Sequence, residues 1–211
     1  MDGEDMEKKN QGFTLTEMVV TISIFAILLG ILVPSLNSVI GFRVQRLTNS
    51  IDGALDKTKT EAMNRLVAEM MLEKREDGYY ISYYLDRGKG SSGRVVQDQP
   101  EKVGPSNLTV IYYEVKKDGT GGQTAREMNT GDRMILTYDR ETGEFRPIQS
   151  DVLTQSEINV LLKNNQDIPF NDTDSYCSSI VIKGGFRTRI ITLLPGGNVN
   201  ANTGSHTVSA G

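Results

Sequence analysis

The chain has 211 residues, 24% of them charged, with a net charge of −4, which gives no basic footprint for general nucleic-acid binding. One cysteine, Cys177, excludes an intrachain disulfide, and one histidine, His206, leaves zinc sites and histidine-based nucleophilic devices short of groups. Glycine occurs 21 times, which indicates many tight turns.

The first element in chain order departs sharply from this average. Residues 18–42, between Glu17 and Arg43, carry no charge, and Met18 to Val33 is apolar almost all round. At about 1.5 Å per residue these 25 residues span roughly 37 Å, enough for a bilayer core that needs about 20 apolar residues. Pro34 is expected to kink or locally melt this helix. A stable anchor and a cleaved secretory signal both fit the apolar run. The best small-residue candidate after it is Val39-Ile40-Gly41, a poor cleavage pattern. Lys8 and Lys9 before the run are balanced by Arg43 and Arg46 after it, so charge bias does not orient the span.

The boundary itself is more specific. Lys9-Asn10-Gln11-Gly12 is followed by Phe13-Thr14-Leu15-Thr16-Glu17 and then the apolar run. This resembles the prepilin signature of type IV pilins and type II secretion pseudopilins. The resemblance implies that a prepilin peptidase cuts between Gly12 and Phe13, leaving a leader of residues 1–12 and an N-methylated Phe13. Glu17 then stands fifth after the cut and Pro34 twenty-second, where the family often has proline. The leader departs from the pattern in its acidic start, Asp2-Gly3-Glu4-Asp5-Met6-Glu7; only Lys8 and Lys9 match the usual basic character. For Glu17 the resemblance implies a contact with the free amine of Phe13 in a neighbouring subunit, where opposite charges at an apolar edge attract strongly. The residues alone also allow a local role, with Thr14 and Glu17 forming a capping box at the helix start.

The helix is expected to continue as an amphipathic segment over 43–78. Leu47, Ile51, Leu55, Thr58, Ala62, Leu66 and Met70 recur at three- and four-residue spacing with charges between them. Its stretch from Ala54 to Arg65 also resembles a region of the GspH/FimT group of minor pseudopilins.

From residue 79 the period changes to two: Tyr79, Ile81, Tyr83 and Leu85 alternate with more polar neighbours, as in a half-buried strand. Further strands are predicted at Asn107–Lys116, Arg133–Asp139, Glu144–Ile148, Ser179–Lys183 and Arg187–Leu194, with turns at Lys117-Asp118-Gly119, Arg140-Glu141-Thr142-Gly143 and Gly184-Gly185. The segments at 134–139 and 144–147 are expected to form a hairpin with Pro147 at an edge. Thr154-Gln155-Ser156-Glu157 is a capping box ahead of a short helix. The Gly-, Asn-, Ser- and Thr-rich segment from 196 onward reads as a disordered tail. These elements give an α+β, pilin-like fold, one long N-terminal helix packed on a mostly antiparallel sheet, with a globular domain over 79–195.

Two motifs carry possible chemistry. Gly88-Lys89-Gly90-Ser91-Ser92-Gly93 fits the dinucleotide-binding spacing, but Pro100 soon follows and no helix opens, so it reads as a surface loop. Asn171-Asp172-Thr173-Asp174 clusters oxygen ligands without the spaced pattern of a calcium loop, so it reads as a polar turn, with Asp172 and Asp174 the metal candidates. No cofactor, metal or catalytic activity is expected. The resemblance implies a filament subunit of a type IV pilus, type II secretion or competence system. Its partners would be the prepilin peptidase, other pilins or pseudopilins, the membrane and an inner-membrane assembly platform, with nucleic acid a partner only in DNA uptake. It places the chain in the cytoplasmic membrane as a single-pass protein, with the globular domain outside the cytoplasm. The alternative is a membrane-anchored extracytoplasmic binding or sensory domain that never polymerises.

Overall fold

The computed structural model describes residues 13–87, 95–164, 169–193 and 206–210. The expected leader, the glycine-rich motif at 88–93 and the first part of the expected disordered tail lie outside them. The chain divides into two compact units, Met1–Val39 and Ile40–Gly211.

One helix, α1 (Leu15–Asn64), runs through both. Within the first unit its described large apolar side chains are exposed all round, from Phe13 to Leu32. The polar exceptions satisfy themselves on the helix: the Thr21 and Ser23 hydroxyls donate to the carbonyls four residues back, Glu17 and Val19, at 2.6 and 2.7 Å. Of the two effects expected at Pro34, local melting does not occur, and helical backbone continues through it. A proline deletes one intrahelical bond, here to the Gly30 carbonyl, and the neighbouring turns survive that loss.

In the second unit Val44, Leu47, Ile51, Leu55, Thr58 and Ala62 form the buried stripe of α1. The helix stops at Asn64, whose side-chain amide donates to the Thr60 carbonyl at 2.7 Å. The expected continuation to 78 is therefore cut short, and the chain becomes β1 (Val67–Arg75). The rest is β2 (Gly78–Asp86), β3 (Val95–Pro105), β4 (Thr109–Lys116), β5 (Gln123–Glu127), β6 (Arg133–Thr137), α2 (Gln155–Lys163), β7 (Ser175–Gly184), β8 (Arg187–Leu193) and β9 (His206–Ala210). They make two sheets, ordered β3-β2-β1-β6 and β5-β4-β7-β8-β9, with every pairing antiparallel. An α+β, pilin-like arrangement is thus present, with two sheets where one was expected.

Two other expectations fail locally. Glu144–Ile148 is not a strand: isolated bridges, Tyr138 to Phe145 and Ile135 to Gln149, and a bond from Arg146 N–H to the Thr137 carbonyl tie this return to β6 and the residue after it. Pro147 has no N–H for a ladder, which limits such pairing. The tail reading also fails at its end, because His206–Ala210 pairs with β8 as an edge strand. The α2 prediction holds in full, since the Thr154 side chain accepts from Glu157 N–H and the Glu157 carboxylate accepts from Thr154 N–H.

One core contains the α1 stripe together with residues of both sheets, including Met70, Leu72, Tyr79, Val110, Ile180 and Ile182. Tyr79 in β2 stitches the sheets together. Its hydroxyl donates to the Leu108 carbonyl at 2.9 Å and accepts from Val110 N–H at 3.2 Å, fully buried. Replacing Tyr79 with Phe leaves both backbone groups unpaired, so the Tyr79→Phe protein should lose about 1–3 kcal/mol, read as a lower urea midpoint with an unchanged slope.

Candidate functional site

The N-terminal site is built on the first turn of α1. Thr14 and Glu17 close a capping box: the Glu17 Oε2 accepts from Thr14 N–H at 2.9 Å and from the Thr14 hydroxyl at 2.8 Å, while Glu17 N–H donates to Thr14 Oγ1 at 3.3 Å. Both bonds to the carboxylate use Oε2. Phe13, directly before the cap, is 83% exposed. Gly12 lies outside the described residues. Pro34 is a backbone member of α1, seventeen residues beyond Glu17.

The span from Leu15 to Leu32 is long and apolar enough to cross a membrane, with a mean hydropathy of 2.3 and none of it buried within the chain. A soluble core helix would bury a stripe; this one buries none, and that favours an apolar environment supplied from outside the chain.

The second candidate, the oxygen-rich turn near 172, is occupied by protein. Arg146 Nη2 meets Asp172 Oδ2 at 2.8 Å and Arg146 Nη1 meets Asp139 Oδ2 at 3.6 Å, while the guanidinium stacks 4.2 Å from the centre of the Phe170 ring. Asp174 contributes its carbonyl to Lys117 N–H at 2.7 Å. Among the described residues no group of three metal-ligating side chains forms. Asp172 is thus an ion-pair partner, a role invisible in sequence because Arg146 lies 26 residues away.

Sequence reasoning missed the cavity beside this pair. About 410 Å³ is lined by Ala62, Leu66, Tyr138, Arg146, Leu162 and Phe170, among others. The Tyr138 hydroxyl is buried without a partner, and burial pushes its pKa well above the ordinary phenol value. Cys177 is buried in β7, and the apolar surroundings push its thiol far above its ordinary range, so it stays protonated and unreactive. His206 falls in β9. The glycine-rich motif is followed by β3 and not by a helix, which removes the feature a dinucleotide site requires.

Residues 8–33 match the family model described as the prokaryotic N-terminal methylation motif. This is the type IV pilin and pseudopilin signature, a structural family, and it implies processing by a prepilin peptidase and assembly with other pilins. Neither the curated proteins nor the solved structures contain a match to the chain. The motif and the apolar helix are together consistent with a membrane-anchored, single-pass protein.

Asp139 holds the turn that carries Arg146's partner. Its Oδ1 accepts from Thr142 N–H and Glu141 N–H at 3.0 Å each and from the Thr142 hydroxyl at 3.1 Å. The Thr142 N–H first, then the other donors and Arg146, hold its carboxyl below the ordinary value of 3.8. A lowered folded-state value stabilises the fold above the unfolded pKa, and that contribution is lost as pH falls through the folded value. Asp139→Asn should therefore flatten the loss of stability below about pH 4, measured by thermal unfolding across an acid series.

Proposed function

We propose that the chain is a structural subunit of a membrane-rooted filament, a pilin or pseudopilin of a type IV pilus, type II secretion or competence system. The methylation motif over residues 8–33 carries this reading. Residues 1–12 serve as the leader, and prepilin peptidase cuts between Gly12 and Phe13. Residues 13–42 then hold the subunit in the cytoplasmic membrane, with the domain outside the cytoplasm, and pack against neighbouring subunits in the filament. Minor-subunit status follows from the likeness of residues 54–65 to the GspH/FimT group.

The mechanism rests on solvent. In the membrane, lipid covers the apolar side chains of residues 18–32; in the filament, the equivalent helices of other subunits cover them. Exchange of one apolar surrounding for another keeps the free-energy difference small, so an external assembly motor and platform can drive it. Specificity then needs a polar contact. The Glu17 carboxylate supplies one by pairing with the N-methylated amine of a neighbour's Phe13, which fixes the axial register. Nucleic acid enters as a partner only in a DNA-uptake system.

A second reading, a membrane-anchored binding domain that does not polymerise, draws on the 410 Å³ cavity beside Arg146. The two separate at the N-terminus. Co-expression with a prepilin peptidase should yield a chain starting at N-methylated Phe13 by mass spectrometry, and Gly12→Ala should abolish it. Glu17→Ala should still be cut, yet its filament incorporation should fall by well over tenfold, since the neighbour's amine would be left at an apolar edge without its counter-charge. Normal incorporation of the Glu17→Ala protein would count against the pairing, and an uncut wild-type chain against the filament.

A further inference from the structure

The β7–β8 hairpin ends in an aromatic residue that the fold leaves uncovered. Gly184 pairs with Arg187, and Gly185 takes a left-handed φ of 54° to make the turn. The hairpin is pressed onto α1. A Cβ on Gly184 would lie 2.5 Å from Leu108 Cδ2, 2.7 Å from Val44 Cγ2 and 3.2 Å from Ile40 Cγ2, and one on Gly41 would meet Arg187 Cγ at 3.5 Å. Phe186 is 92% exposed at the tip, and Phe42 on the adjoining turn of α1 is 72% exposed.

Charge is sorted around this tip. Arg43, Arg46, Lys183 and Arg187 are exposed, and none forms an ion pair with a described residue. The chain holds 27 acidic residues, yet residues 18–51, 102–113 and 175–211 contain none. Those three segments supply the α1 turns, the Leu108 contact and the hairpin that meet here. Glu76 and Asp77 stand in the neighbouring β1–β2 turn, with Asp77 paired to Lys102 at 2.7 Å, and the four unpaired cations outnumber them, which fits an anionic surface.

The level of the tip follows from the chain. The uncharged run of residues 18–42 would span roughly 37 Å as a helix, more than a hydrocarbon core of about 30 Å and less than a whole bilayer of about 40–45 Å. Its last residues, Ile40 to Phe42, then fall in the headgroup layer, and the hairpin is packed against them. We propose that the β7–β8 tip is a membrane-interface anchor: Phe186 and Phe42 enter the headgroup layer while Arg43, Arg46, Lys183 and Arg187 bind anionic phospholipid. This rests on the membrane-spanning reading of α1. The anchor fixes how the domain stands on the bilayer before assembly, and its contacts are broken when the subunit leaves the membrane.

The chain contains no tryptophan, so a single introduced indole reports its own surroundings. Full-length Phe186→Trp protein would be reconstituted in phosphatidylcholine vesicles with and without phosphatidylglycerol, and with lipids brominated near the glycerol. Emission should be blue-shifted and quenched by the brominated lipid, more so with phosphatidylglycerol. Adding Arg43→Glu and Arg187→Glu should lower the ratio of inserted to withdrawn tip by about fivefold or more for each arginine lost. A Phe25→Trp protein serves as the control inside the span. Quenching at 25 with water-like, unquenched emission at 186 would overturn the anchor and leave the span intact. No quenching at 25 would remove the spanning reading and the anchor with it. A blue shift at 186 that grows with protein density but ignores brominated lipid would assign the tip to a second copy of the chain, and would equally overturn the proposal.

Discussion

Everything in the second unit depends on one stripe of α1. Val44, Leu47, Ile51, Leu55, Thr58 and Ala62 are each nearly or fully buried, and residues from both sheets share their core. The approach is close enough to exclude side chains: a Cβ on Gly104 of β3 would stand 3.1 Å from Leu47, and Gly184 of β7 is tighter still against Val44. Two sheets with no pairing between them among the described residues are thus held in one body by a shared helix and by Tyr79, whose hydroxyl answers the backbone at Leu108 and Val110. Burial of such a stripe outweighs weak local propensity, and so Gly53 and Thr58 persist inside the helix. Thr58 bonds the Ala54 carbonyl at 2.6 Å, which lets a hydroxyl sit in the core.

How much of this was legible follows from where each signal resides. The α1 stripe was readable from its one buried face, β2 from the alternation of Tyr79, Ile81, Tyr83 and Leu85 in sequence even though Ser82 and Asp86 between and after them are buried too, and α2 from a local cap that writes itself in four residues. β1 was not. Val67 to Leu72 are buried without interruption, so no two-residue alternation appears, and Glu69, Met70, Met71 and Leu72 are good helix formers that extended the preceding stripe. Tertiary pairing with β2 and β6 decided against propensity. β3, β5 and β9 were missed for the opposite reason. All three are edge strands, where Pro100 is tolerated and where the fully exposed Gln123–Glu127 shows no pattern at all. At the site, the Gly12, Phe13 and Glu17 register was plain in sequence because its spacing is local. The Arg146 pairs with Asp139 and Asp172 were not, because they join segments that meet only after folding.

Glu69 shows how the fold handles a charge that pattern alone would place outside. It is buried in the central strand β1, and both carboxylate oxygens accept from Leu153 N–H, at 3.2 and 3.3 Å. Leu153 immediately precedes the Thr154 cap, so the buried carboxylate positions the entry to α2. A charge in a core is costly unless hydrogen-bonded, and here that cost is offset by fixing a loop on the sheet.

The same logic bears on Glu17, where a carboxylate stands at the edge of an apolar run. Two roles were open for it, a cap on its own helix and a contact with another chain, and they compete only if they need the same atoms. The cap uses Oε2 for both of its bonds, with Thr14 as the donor each time. A carboxylate offers about four lone-pair sites over two oxygens, so Oε1 remains for an ammonium from a neighbour. The cap also removes rotamer freedom that an unpaired glutamate would otherwise lose on assembly, which lowers the entropic cost of the contact. Intramolecular capping is therefore the preorganising half of the proposed pairing and not its rival. The acidic start of the leader does not bear on that step, because it precedes Gly12 and would leave with the proposed cut.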